Sequence, residues 1–337
     1  MAKDLTNSAI NRQNVLNNRY ALKKIKQHLD LGGLNFEGDV FFTKQQLMTM
    51  YDVSDTTVER YIKKHSDELK LNGYLLLKGK KLKEFKEVAI GAFTDEGTKT
   101  TVLGVFNFRA MLNFAMLLTE SEKAKAVRSR ILDIVIEVVA ERAGGHTKFI
   151  NQRDLDYLPS AYQEFNYRKE FTNALSNYLD MGTYKYGVYT NKVYQLVFKE
   201  NAKEYKQILK LTDKDKVRDT LYAEVLKAIA SVENGLAADM KAKSTQLGRK
   251  LFPHEVDLMI DELNNHPYLK PIIEDARTKM ASRDMSFRDA LHIKLESYLQ
   301  TVSECDVEKF LGEASRSLEE QLSDPETLAV FKRLKDR

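Results

Sequence analysis

The sequence predicts a mainly α protein with a small β component, built as a mixed front segment followed by an all-α rear region. Three observations carry this prediction. Residues 40–86 alternate helical apolar spacings with short strand-like runs, VFF at 40–42 and YLLL at 74–77. From residue 154 onward apolar side chains recur at spacings of three and four almost without interruption. Glycine pairs at Gly32-Gly33 and Gly144-Gly145 close the helical patterns before them and set natural boundaries. With 337 residues and 43% hydrophobic content the chain has room for two or three domains with ordinary cores.

In chain order, residues 1–14 are polar, with three asparagines, and are expected to fray. Leu16, Tyr20, Leu22, Ile25 and Leu29 predict one amphipathic helix over 15–31, with Lys23, Lys24 and Lys26 outside. After a short strand at 40–42, Thr43 is placed to cap a helix whose apolar face is Leu47, Met48, Met50 and Tyr51. Asp52-Val53-Ser54 is a turn, with Val53 as its apolar plug, and Ser54 or Asp55 caps a second helix. Asn72-Gly73 ends the helical pattern, Tyr74 to Leu77 reads as a strand, and Lys78-Gly79-Lys80-Lys81 reads as the tip of a lysine-rich hairpin. Helix, turn, helix and basic hairpin in this order are the layout of a winged helix-turn-helix.

That layout points to DNA. The second helix begins with short side chains and continues with cations, as suits a helix whose first turns approach base edges while later residues reach phosphates. Thr56, Thr57, Arg60 and Tyr61 are expected to face bases, and Lys63 and Lys64 to face phosphates. Lys78, Lys80 and Lys81, with Lys83 and Lys86 behind them, are expected to hold the flanking backbone, a contribution blind to sequence and weakened by salt. A lysine-rich hairpin alone reads better as a solvated loop; the preceding helix pair reverses that preference. Residues 1–150 hold 24 Lys+Arg against 18 Asp+Glu, and the remainder holds 29 against 31. A basic front and a nearly neutral rear permit the DNA reading without demanding it.

Beyond the hairpin, 83–92 fits helix or strand and the Gly97 region a loop. Thr100 to Phe106 reads as a strand ending at the cap Asn107, followed by helices over 108–118 and from about 121 to 142. Lys123, Lys125, Arg128 and Arg130 are read as a solvated helix face. The segment from Phe41 through Ala143, above all FTKQQLMTMYDVSDTTVERYIKKH and FNFRAMLNFAMLLTESEKAKAVRSRILDIV, resembles the RhuM-like family of bacterial and prophage-associated DNA-binding proteins. It is similar also to the DNA-binding halves of phage antirepressors. The resemblance covers about the first 145 residues and implies DNA binding in a regulatory, defence or toxin-control setting, with no particular operator. The expected domains are 1–100 for the winged helix-turn-helix, 101–145 for a strand and helical pair, and 146–337 for a helical assembly or partner-binding region.

The rear region is expected to hold helices at roughly 154–180, 191–209, 214–241, 251–264, 272–298 and 307–334, with a tyrosine-rich loop at 181–190. Its aromatics Tyr157, Tyr162, Phe165, Tyr167 and Phe171 lie at helical spacing and are read as core rather than as a base-stacking surface.

Catalytic motifs are weak. None of the six histidines precedes a glycine-rich phosphate cradle of the Fic kind, and Gly248-Arg249-Lys250 is only an echo of a phosphate-binding loop. Glu204 and Lys206, with Asp180 upstream, have the residue types of a metal-dependent nuclease, but in a helical setting. His254-Glu255 lacks a second histidine at helical spacing. No cofactor is expected. No apolar run spans a bilayer, the first twenty residues lack a signal core, and the single cysteine, Cys305, suits a reducing cytoplasm.

The residues leave three functions open. The leading one is a cytoplasmic, sequence-specific DNA-binding regulator of a mobile or prophage locus, acting on double-stranded DNA as a homodimer or larger homo-oligomer. The second is an antitoxin or phage-defence factor that binds both DNA and a toxin or phage protein. The third is a nuclease or nucleotide-transfer enzyme.

Overall fold

Ser8 and Asn18 divide the N-terminal segment into two helices where one was expected. The Ser8 hydroxyl accepts the Asn11 N–H and opens α1 (Ala9–Asn17); the Asn18 side chain accepts the Ala21 N–H and opens α2 (Arg19–His28). In the computed structural model, which describes residues 5–29, 32–89, 100–313, 315–316 and 318–335, the expected fraying of 1–14 is corrected from Leu5 onward. Leu5 and Arg12 are buried, and the Arg12 guanidinium donates to both Glu68 oxygens at 2.7 and 2.8 Å and to the carbonyls of Leu5 and Thr6. One buried bidentate ion pair ties a polar arm down, a device that hydropathy does not register. The Gly97 loop lies outside the described residues.

The described chain is mainly helical with one four-stranded antiparallel sheet, and it divides into two units, Met1–Val138 and Val139–Arg337. In the first unit β1 (Leu34–Phe36) and β2 (Asp39–Thr43) precede α3 (Lys44–Tyr51), α4 (Asp55–Lys64) and α5 (Ser66–Leu71). β3 (Tyr74–Lys78), α6 (Gly79–Val88), β4 (Val102–Asn107), α7 (Phe108–Leu117) and the larger part of α8 (Glu122–Arg142) follow. The sheet order is β1-β2-β4-β3. β4 therefore lies between β2 and β3, so residues after 100 complete the sheet of the front segment instead of starting an extension of it.

The sheet has two faces of opposite parity, as its register requires. Phe42 stands opposite Phe106, which stands opposite Tyr74, and these three join the core formed with α3, α4, α7 and α8. Leu77 and Val105, of the other parity, join Phe36, Leu82 and Phe85 under α6. Phe85 meets Phe36 and Phe41 edge to face, with ring centroids 5.2 and 6.3 Å away. The sheet thus separates α6 from the α3–α4 pair.

The second unit is helical: α9 (Tyr157–Tyr178), α10 (Lys185–Phe198), α11 (Ala202–Ile208), α12 (Ala223–Leu247), α13 (Pro253–Asn264), α14 (Lys270–Phe287), α15 (Glu304–Leu311), α16 (Leu318–Leu322) and α17 (Pro325–Lys335). Most of the tyrosine-rich segment belongs to α10, not to a loop, and the helix expected from 214 starts at Ala223 after a short 3-10 turn. Of the five aromatics read as core, Tyr157 and Phe171 are buried, while Tyr162, Phe165 and Tyr167 are corrected to partly exposed positions. No helix among the described residues is long and apolar enough to cross a membrane.

Candidate nucleic-acid interface

Local chemistry shapes the α3–turn–α4 unit. Thr43 and Gln46 form a reciprocal capping box, the Gln46 side chain accepting the Thr43 N–H at 2.8 Å and the Thr43 hydroxyl accepting the Gln46 N–H at 3.3 Å. At the other end Asp52 takes a left-handed backbone, φ +53° and ψ +57°, and both it and Val53 donate their N–H groups to the Met48 carbonyl. Val53 packs on the core as the plug between the helices. Ser54 then caps α4: its hydroxyl accepts the Thr57 N–H at 3.2 Å and meets the Thr56 and Thr57 hydroxyls at 2.9 and 3.1 Å.

The two faces of α4 differ sharply. Val58 and Tyr61 are buried and Ile62 packs beside them. Thr56, Arg60 and Lys63, spaced by four and three residues, are exposed along the opposite side, with Lys64 on its flank. Thr57 is half-buried beside them. Tyr61 does not belong to this exposed set: it is 7% exposed, its ring meets Phe114 at 5.9 Å, and its hydroxyl bonds the Thr119 hydroxyl at 2.9 Å. The expected base contact at Tyr61 is therefore corrected to a core role, because its position three residues after Val58 puts it on the buried stripe.

The lysine-rich hairpin is also corrected. Lys78 ends β3, but Gly79 turns the chain at φ +54° directly into α6, which carries Lys80 and Lys81 in its first turn. Lys80 pairs with Glu84 and Lys81 with Glu37, both well exposed. Leu82, Phe85 and Ala89 repeat at helical spacing and draw this segment onto the face of the sheet opposite α4. Lys80 and Lys81 therefore do not stand beside α4 as a flanking clamp.

What α4 does border is a concave surface of about 830 Å³, with Tyr74, Leu76, Val102 and Phe106 as its floor and Lys44 and Lys63 on its wall. Lys44 bridges Asp55 at 2.7 Å and Glu59 at 2.9 Å. Partial burial disfavours the charge on Lys44, but the hydrogen bonds to those carboxylates outweigh it and raise its pKa above the ordinary lysine range. This bridge offsets one of the two carboxylate charges on that flank of α4, while Arg60 and Lys64 lie outside the lining of the concave surface.

Three contacts that sequence reading missed brace the pair from behind. Ser121, buried in the α7–α8 turn, donates its hydroxyl to the Tyr51 carbonyl and accepts the Ala124 N–H at 3.0 Å, so it caps α8 and anchors the end of α3 together. Thr119 holds Tyr61, and Glu120 meets Arg60. The [ST]-x-x spacing before the Ala124 stripe was a visible cap signal; the partners some 60 residues away were not. Arg128, expected on a solvated face, donates to the carbonyls of Ala115 and Leu118 at the end of α7.

The carboxylate singled out for nuclease chemistry has a structural task. Glu204 accepts the Asn201 N–H at 2.9 Å in a capping box and pairs with Lys294 at 2.9 Å, and that lysine holds its carboxyl below the ordinary range. No family model matches the chain, and neither the curated proteins nor the solved structures yield a match to it.

Proposed function

We propose that the chain is a sequence-specific, double-stranded DNA-binding protein that reads its site with α4, as the recognition helix of a winged helix-turn-helix, and that it regulates transcription. The observation that carries this reading is the exposed row Thr56, Arg60 and Lys63 on a helix whose other side is locked into a core. The left-handed turn residue between α3 and α4 and the strand order β2-β4-β3 beside them support it. In this reading α6 is an insertion between the two wing strands, not the wing's tip. The sequence resemblance to the RhuM-like family adds the regulatory setting of a mobile or prophage locus.

Selection of genomic fragments by the purified full chain at near-physiological salt tests the reading, with Arg60→Ala run in parallel. Enrichment of a defined site, with preference relaxed in the variant by the ~1–3 kcal/mol of a base contact, is the expected result. Uniform, salt-sensitive retention of all fragments, or none, sinks it.

A further inference from the structure

Arg60 is the one base-facing candidate with a long, flexible side chain, and the fold restrains it from two directions. Its guanidinium carbon lies 5.4 Å from the centroid of the Tyr61 ring. That ring is itself held in place: it packs on Phe114, and its hydroxyl shares a hydrogen bond with the Thr119 hydroxyl at 2.9 Å and accepts the Thr119 N–H at 3.2 Å. From the next residue of the same turn, the Glu120 carboxylate meets Nη2 of Arg60. Both partners remain about half exposed, at 58% and 47%.

An ion pair this wet contributes little to folding. Its consequence for recognition is larger, since a guanidinium whose rotamer is already chosen loses less freedom when it meets a ligand. The fork carries five N–H donors, and a carboxylate at Nη2 takes up one edge of it. Donors remain for a second, outward partner, and the ligand class that matches a planar pair of N–H donors on a helix in the major groove is the guanine edge with its N7 and O6 acceptors. The negative charge matters in a second way: it opposes nearby phosphates and so disfavours Arg60 settling on the backbone.

Resting on the DNA-binding reading above, we propose that Glu120, together with the fixed Tyr61 ring, is a specificity-determining positioning residue that presents Arg60 to a guanine in the recognised site. Glu120 itself touches no base. It acts through Arg60, and its removal changes discrimination more than affinity.

The test uses the full chain and the site obtained by selection, compared with the same duplex carrying each single base-pair substitution, for wild type, Glu120→Ala, Arg60→Ala and the double variant. Expected is a guanine at one position whose replacement weakens wild-type binding, with that discrimination reduced by a factor of about two to five in Glu120→Ala while binding to unrelated duplex stays equal or tightens. In the Arg60→Ala background, Glu120→Ala should change discrimination no further. Discrimination unchanged in Glu120→Ala, or an equal effect with and without Arg60, overturns the assignment and leaves the DNA reading standing. A wild-type protein with no sequence preference overturns both.

Discussion

Asp52 and Tyr61 show how single residues set the geometry of the α3–α4 pair. The backbone of Asp52 is left-handed, a conformation that costs a side-chain-bearing residue about 1–2 kcal/mol and that aspartate tolerates better than most. Asp52→Gly is expected to keep or raise thermal stability, whereas Asp52→Val should lower it by ~1–2 kcal/mol in urea unfolding; equal stability of the two variants would show that the turn geometry is unimportant. The turn was legible because Asp-Val-Ser interrupts the apolar pattern and Ser54 is a strong cap. Tyr61 was legible in part. Its spacing from Val58 marked the core side, but tyrosine has both an apolar ring and a polar tip, and only the position of Thr119 shows which of them is satisfied inside.

At the scale of elements, α6 departs most from the sequence reading. A strand followed by Lys-Gly-Lys-Lys fits a hairpin tip, and Gly79 at φ +54° serves a turn and a helix start equally well. The deciding signal was the spacing of Leu82, Phe85 and Ala89, whose burial against Phe36, Leu77 and Val105 recovers more apolar surface than an open loop. A direct consequence follows for binding. On the proposed DNA-binding reading, Lys80→Ala with Lys81→Ala should alter affinity for any duplex by about twofold at most, while Lys63→Ala with Lys64→Ala should weaken all duplexes and lower the salt slope by roughly two, as counterion release predicts. Salt titrations of the two double variants separate these outcomes. A steep loss on removing Lys80 and Lys81 would return α6 to the interface.

At the scale of the whole molecule, the second unit contains, beside an apolar core of its own, a buried polar network. In it, His292 bridges Glu200 at 2.9 Å through Nδ1 and Asp284 at 2.5 Å through Nε2, beside Arg288 on Asp284 and the Tyr205 ring. Burial opposes the charge on His292, but the two carboxylates outweigh it and raise its pKa to about 9. An unfolded histidine titrates at ~6.5, so this pairing stabilises the fold fully below that pH and is lost as the pH rises through about 9. The melting temperature is expected to fall between these limits. His292→Gln should remove that slope and cost ~3–5 kcal/mol, since it leaves Glu200 buried without its cation; a variant that keeps the slope assigns it to another group.

Much of the secondary structure can be read from the chain, because helix and strand periodicity, caps and turn residues act within about ten neighbouring positions. On those grounds the α3–turn–α4 unit, the three longer strands, two of the five aromatics read as core in α9, Tyr157 and Phe171, and the basic outer side of α4 are visible in the residues. Other features depend on contacts across long stretches of chain: Arg12 with Glu68, Arg60 with Glu120, His292 with Glu200, and the side of the sheet that α6 covers. These arise only when packing brings the elements together, since the free energy of a buried charge or a covered sheet face depends on every group around it, and no local pattern carries that information.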